Sequence, residues 1–251
     1  MSQPWSAIPT IEIQPFAPLT ALEPAQRREL VTAAWAMRVA NQALSGGCLN
    51  VVGEILKGQG TFYAMNHYPD DDVYDARSHA QYYYHAHREE EHGHFHTFVR
   101  RAGMPETLNP AAGFKRSEPG PQGDDALAHL ICISMDADGN PKGLFAANRW
   151  VTDESWYSAP DTIALLDQFS IDHARPNLAV NQWLTQFMRL YRPHIEQLLQ
   201  HRDQVVDAWQ QRYPDDDVLE DRRLEITGYM PIDAPSWSAE IERSGARVMA
   251  N

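Results

Sequence analysis

Ala76–Ala102 reads ARSHAQYYYHAHREEEHGHFHTFVRRA and is the most informative stretch of the chain. Its middle, His85–His96, holds five histidines and three glutamates within twelve residues. We predict that the whole stretch forms one long helix. Gly103 and Pro105 would close it, because glycine and proline commonly follow the end of a helix.

Helical geometry divides the histidine-rich segment into two opposite stripes, because residues three, four and seven apart share one face of a helix. The first stripe contains His85, Glu89, His92 and His96. The second contains His87, Glu91 and His94. One ion can use only one stripe. We favour the first, since the small residues beside it would let a second helix approach, and the second stays open.

Imidazole and carboxylate groups one helical turn apart can bind the same cation, and this ligand set suits zinc, iron, copper and nickel. We therefore predict a divalent metal ion, with iron as the first choice and zinc or manganese as alternatives. The competing interpretation is a solvated helix that binds metal adventitiously. The aromatic residues among the histidines, including Phe95 and Phe98, argue against it.

Residues outside this stretch extend the predicted site. His173 lies in a polar break between two helices and is a candidate ligand, with a histidine bonded to a backbone carbonyl as the alternative. Arg149 and Trp150 could bind an acidic substrate together with Tyr84, because a guanidinium beside an aromatic ring suits carboxylates. A buried structural ion pair is the alternative for Arg149. His129 is interpreted as a core histidine.

The remaining sequence predicts a single, mainly helical domain over residues 1–251, in the α+β class: a helical bundle with one small antiparallel hairpin. An extended arm covers 1–19, and a helix follows Thr20 with Glu23 in a capping box. The hairpin pairs 128–135 with 144–151. A long helix over 178–213 should be kinked at Pro193, and 214–251 reads as an irregular tail.

Composition narrows the function classes. The formal net charge of −13 argues against nucleic acid as a partner, because phosphate binding requires clustered lysine and arginine. The two cysteines match no metal or redox spacing, so neither a disulfide framework nor thiolate ligation is expected. No signal peptide or membrane-spanning run is apparent, and we expect a cytoplasmic protein that does not bind membranes. A homo-oligomer remains open.

Three segments, YYYHAHREEEHGHFHTF, GLFAANRWVTDESWY and IDHARPN, resemble a family of uncharacterised bacterial proteins known only as a domain of unknown function. The similarity spans most of the chain. It implies a bacterial origin and carries no activity, so the functional hypotheses rest on the residues alone.

Three hypotheses follow. The first is a metal-dependent enzyme acting on a small molecule, with a non-haem iron oxidoreductase ahead of a zinc-dependent hydrolase. The second is a non-catalytic metal carrier, buffer or sensor that uses both stripes. The third is a structural or partner-binding protein without metal.

Overall fold

Alternating buried aromatic residues organise the molecule around a sheet. A computed structural model describes residues 10–14, 16, 19–86, 92–114 and 121–249. Its strands form one six-stranded antiparallel sheet in the order β1-β2-β3-β4-β5-β6. The strands are β1 Tyr68–Tyr74, β2 Ala80–His85, β3 Gly93–Arg100, β4 Leu127–Met135, β5 Pro141–Ala147 and β6 Ile226–Pro231.

Seven helices accompany the sheet in the described part of the chain. They are α1 Pro24–Ser45, α2 Val51–Leu56, α3 Arg149–Thr152, α4 Ala159–Leu165, α5 Leu178–Leu190, α6 Arg192–Arg212 and α7 Ala234–Met249. The main core joins residues of α1, α5 and α6 to alternate strand residues such as Tyr82, Phe95 and Leu144. One face of the sheet therefore packs against helices. None of the helices described is long and apolar enough to cross a bilayer.

Several local predictions are confirmed. The first helix is present, but it begins at Pro24, three residues later than predicted, and Glu23 is its N-cap, paired with Gln26 in the capping box, instead of the third residue after a cap at Thr20. The predicted hairpin is present as β4 paired with β5, but its second strand ends at Ala147, because helix α3 begins at Arg149. The long helix predicted over 178–213 is interrupted at Tyr191, between α5 and α6, and Pro193 lies in the first turn of α6. Proline is tolerated there because the first turn has no backbone acceptor for its missing N–H.

The predicted helix over 76–102 is wrong, and with it the mainly helical bundle with a small hairpin. β2 and β3 occupy this stretch and pair with each other in antiparallel register, Tyr83 opposite His96 and His85 opposite His94. Aromatic and β-branched residues favour strands, and here they alternate with the histidines. The histidines therefore follow a period of two, and helical stripes do not describe them.

The irregular tail predicted for 214–251 is also wrong. β6 adds the sixth strand against β5, and α7 packs against α1. In β6, Met230 belongs to the main core, while Ile226 packs with Cys132 and Phe145 in a separate small cluster. The tail thus completes the sheet and contributes to both of its faces.

Candidate metal centre

Two adjacent strands bring three histidines together. His85 ends β2, and His94 and His96 lie two residues apart on β3, so their side chains leave the same face of the sheet. Gly93 begins β3 with a φ of 152°, and a Cβ there would lie 2.2 Å from the Tyr84 hydroxyl oxygen. A glycine is therefore required for β3 to start this close to β2.

The three side chains meet through their Nε2 atoms. His85 Nε2 lies 2.9 Å from His94 Nε2 and 3.1 Å from His96 Nε2, and the last two atoms are 2.9 Å apart. The three side chains are 7%, 0% and 0% exposed, respectively. The point equidistant from the three nitrogens is about 1.7 Å from each, so an ion with bonds of about 2.1 Å would lie just outside their plane.

Hydrogen bonding among the three rings cannot account for this triangle. The Nε2 atom of a neutral imidazole is either an N–H donor or a lone-pair acceptor. Among three atoms in mutual contact, at least two are of the same kind, so at least one contact joins two donors or two acceptors. A cation would accept all three lone pairs at once. The arrangement is therefore able to hold a metal ion.

Aromatic rings surround the triangle. Tyr83 stacks on His96 with ring centroids 5.0 Å apart, and Phe145 meets His94 edge-on at 4.9 Å. Tyr83 also stacks on His67, with ring centroids 3.6 Å apart. Burial raises the pKa of the Tyr83 phenol, and the neighbouring Cys132 and Asp72 add to this effect. The phenol is therefore neutral at ordinary pH.

A second group of donors lies behind His96. Its Nδ1 atom is 3.1 Å from His129 Nε2 and 3.3 Å from Cys132 Sγ, and Sγ is 3.4 Å from His129 Nε2. Burial lowers the pKa of His129 to about 3, with smaller contributions from Arg202 and His94. His129 is therefore a neutral imidazole that can accept a hydrogen bond from His96. Such a bond orients a ligating histidine.

The structure combines members of both predicted stripes. His85 and His96 came from one stripe and His94 from the other. His92 is exposed and lies outside the triangle. His87, Glu89 and Glu91 lie outside the described residues.

The other predicted site residues have different surroundings. His173 Nε2 lies 3.1 Å from the Tyr74 carbonyl oxygen, which favours the backbone-bonded alternative. Arg149 is buried and paired with Glu220, which favours the structural ion pair. Trp150 donates from Nε1 to the Leu224 carbonyl oxygen. Tyr84 packs with Phe95 in the helix-side core. Their roles in substrate binding stay predictions.

Sequence reasoning gave too little weight to Cys132 and His129. The expectation that excluded thiolate ligation rested on sequence spacing, whereas Cys132 is opposite His96 across β3 and β4. The register shifts between Thr97 and Phe98, and the extra residue opposite this step is Leu130. This bulge brings His129 and Cys132, three residues apart, to the same histidine, His96. The strand pattern of β4 was visible in the sequence, but the bulge was not.

These features define an α+β protein with an antiparallel sheet and a buried histidine group able to hold a metal ion. The chain belongs to the family described as domain of unknown function DUF6969, whose model matches residues 31–232. No curated protein and no solved structure matches the chain.

Proposed function

We propose that the protein is a metal-dependent enzyme in which His85, His94 and His96 hold one divalent transition-metal ion. The observation that carries the proposal is the mutual approach of three buried Nε2 atoms within 3.1 Å. Three neutral imidazoles suit iron, zinc, copper and nickel. The hydrogen bond available from His96 Nδ1 to His129 would fix the tautomer that presents Nε2 to the ion.

The separations favour a six-coordinate ion. With bonds of about 2.1 Å, nitrogens 2.9–3.1 Å apart subtend about 90° at the ion, whereas a tetrahedral ion requires about 3.4 Å. Three nitrogens at right angles occupy one face of an octahedron and leave three positions open. Iron with open positions supports oxidation of a bound small molecule by dioxygen, so a non-haem iron oxidoreductase is our first choice of activity.

A small substrate would approach past His67. A recess of about 590 Å³ is lined by His67, Asp70, Asp71, Asp72, Tyr74, Gln81 and Arg100. His67 meets His85 edge-on at 5.7 Å, and His85 keeps the largest exposure of the three ligands. The aromatic stack of His67, Tyr83 and His96 would shield the rest of the ion from water.

The ligand types also admit a zinc-dependent hydrolase, and metal analysis separates the two. The protein should be purified without an affinity tag from unsupplemented medium and analysed for its metal content. One equivalent of iron, or of manganese, per chain supports the six-coordinate site and the oxidoreductase. One equivalent of zinc that is held by the three histidines, and is therefore lost in His94→Ala, supports the hydrolase. Several loosely held equivalents would instead support a carrier or buffer.

His94→Ala should remove the ion, because it deletes one of three ligands. The matched control is His92→Ala, which changes an exposed histidine two residues away and should retain the ion. The proposal fails if His94→Ala and His92→Ala bind equally, or if the ion-free wild-type protein takes up no Fe²⁺, Mn²⁺ or Zn²⁺ under anaerobic conditions.

A further inference from the structure

The second donor group, formed by His96 Nδ1, His129 Nε2 and Cys132 Sγ, has the dimensions of an ion site of its own. Its three donor atoms lie 3.1–3.4 Å apart. The point equidistant from them is about 1.9 Å from each, close to the bonds of about 2.0–2.3 Å that zinc makes to imidazole and thiolate. All three side chains are buried, at 0%, 3% and 0% exposure.

Strand pairing and a bulge hold these donors in place. His96 and Cys132 are direct neighbours across β3 and β4, and His129 reaches them through the bulge at Leu130. The backbone N–H of His129 donates to a Glu154 carboxylate oxygen at 2.9 Å, which anchors the start of β4. The donor group is therefore built from paired strands.

The donor types select a different class of ion. A thiolate with two imidazoles is a soft set that suits Zn²⁺, Co²⁺ and Cu⁺. The triangle at His85 contains nitrogen donors only. His96 presents Nε2 to the His85 triangle and Nδ1 to the second donor group. Its imidazole ring therefore lies between the two ion positions.

We infer that His96, His129 and Cys132 form a second site, specific for a thiolate-preferring ion. The ion binds Sγ of Cys132, Nε2 of His129 and Nδ1 of His96. It displaces the Cys132 thiol proton, and also the His96 Nδ1 proton when Nε2 already holds an ion. The second site can fill without the first, because His129 and Cys132 are not ligands of the His85 triangle, and its ion takes the place of the hydrogen bond between His96 Nδ1 and His129.

Cobalt titration of the ion-free full-length protein tests the inference. A thiolate bound to Co²⁺ gives an intense charge-transfer band in the near ultraviolet, which imidazole ligands alone do not give. The wild-type protein should develop this band and bind two ions per chain. Cys132→Ser should lose the band and bind one ion. Cys48→Ser is the matched control, since Cys48 is the other cysteine and is exposed, and it should behave as the wild type.

Two further variants keep the result interpretable. His85→Ala should lose the first ion and keep the charge-transfer band, so failure of the second site is distinguishable from failure of the proposed function. His129→Gln retains the thiol but loses one imidazole ligand. Its cobalt affinity, followed through the charge-transfer band, should be at least tenfold weaker. Each variant's unfolding transition should be recorded to establish that it is folded.

The inference is overturned if the wild-type protein gives no thiolate band, if Cys132→Ser retains it, or if Cys48→Ser abolishes it. A band in His129→Gln with unchanged cobalt affinity would also overturn it, because the thiol would then bind cobalt without the neighbouring imidazole.

Discussion

Phe95 and His96 are adjacent on β3, yet they serve opposite faces of the sheet. Phe95 packs with Tyr82 and Tyr84 in the core shared with the helices. His96 contacts His85, His94 and His129. Both side chains are 0% exposed. Burial alone therefore does not distinguish the two faces, and the difference lies in what each buried atom has as a partner.

On the helix-side face, apolar groups are removed from water, and their burial stabilises the fold directly. On the other face, which we call the histidine face for His85, His94, His96, His129 and Cys132, nitrogen atoms are removed from water at a cost that only hydrogen bonds or an ion can offset. We infer that stability depends mainly on the first face, and ion binding on the second. Substitutions on each face should therefore change one property and leave the other.

The largest effect is expected from a pair of adjacent substitutions. Phe95→Ala should lower the free energy of unfolding by about 3–5 kcal/mol, as is typical when a buried phenylalanine is truncated, and the folded fraction should still bind the ion. His94→Ala should abolish binding but lower the unfolding free energy of the ion-free protein by only about 1 kcal/mol, since it also removes a close nitrogen–nitrogen contact. Urea unfolding with a chelator, and metal content, measure the two effects. Equal losses of stability in both variants would contradict the separation.

His194, on α6, provides a buried histidine away from the histidine face. It is surrounded by Phe16, Tyr191 and Trp237, and burial lowers its pKa from 6.5 to about 4. The unfolded chain therefore binds a proton between pH 6.5 and 4 that the folded chain does not. This contribution to stability is fully present above pH 6.5 and is lost as the pH falls towards 4, by up to about 3 kcal/mol.

His194→Phe should reduce the pH dependence of the free energy of unfolding over this range, because the aromatic surroundings accept a phenyl ring and one of the titrating histidines is gone. The unfolding free energy should be measured between pH 4 and 7 in the presence of a chelator, so that metal binding does not contribute. An unchanged slope in the variant would show that His194 is not the group responsible.

Ion binding at the histidine face should raise the free energy of unfolding by as much as the His194 contribution, or by less. A ligand that binds only the folded chain adds about 2.7 kcal/mol when its free concentration is 100 times its dissociation constant. The thermal unfolding midpoint of the wild-type protein should therefore rise with the concentration of Mn²⁺, an ion that the thiolate-containing donor group does not favour. His92→Ala should show the same rise and His94→Ala none. A rise in His94→Ala would place the ion elsewhere.

The sequence predicted the helices of this protein better than its sheet, because helical spacing is visible within a single segment. In α1, Leu30, Ala33, Ala34, Met37 and Ala40 recur at helical spacing, and all five are buried. In 76–102, glutamates and histidines at spacings of three and four also matched a helix. The aromatic run Tyr82–Tyr84 and the pattern His94-x-His96 matched strands equally well, and the pairing of β3 with β2 and β4 decides between helix and strand.

The metal hypothesis was formed from the right segment with the wrong geometry. His85, His94 and His96 were all predicted ligands, but a helix cannot bring all three to one ion, whereas two paired strands can. Cys132 and His129 were beyond reach for a different reason. Their place depends on the register of β3 against β4 and on a one-residue bulge, and sequence spacing within β4 carries no information on either.

The smallest effect concerns the hydrogen bond from His96 to His129. His129→Leu removes the acceptor for His96 Nδ1 while leaving all three Nε2 donors of the triangle. Loss of such a supporting partner commonly weakens metal binding about 10–100-fold, which corresponds to about 1.4–2.7 kcal/mol. The affinity for Fe²⁺ or Mn²⁺, measured by competition with a chelator, should fall by that amount. Cys132→Ser is the control, because it keeps the bond between His96 and His129, and its affinity should stay near that of the wild type. If both variants lost affinity equally, the histidine face would act as one merged site, and the distinction between its two donor groups would be wrong.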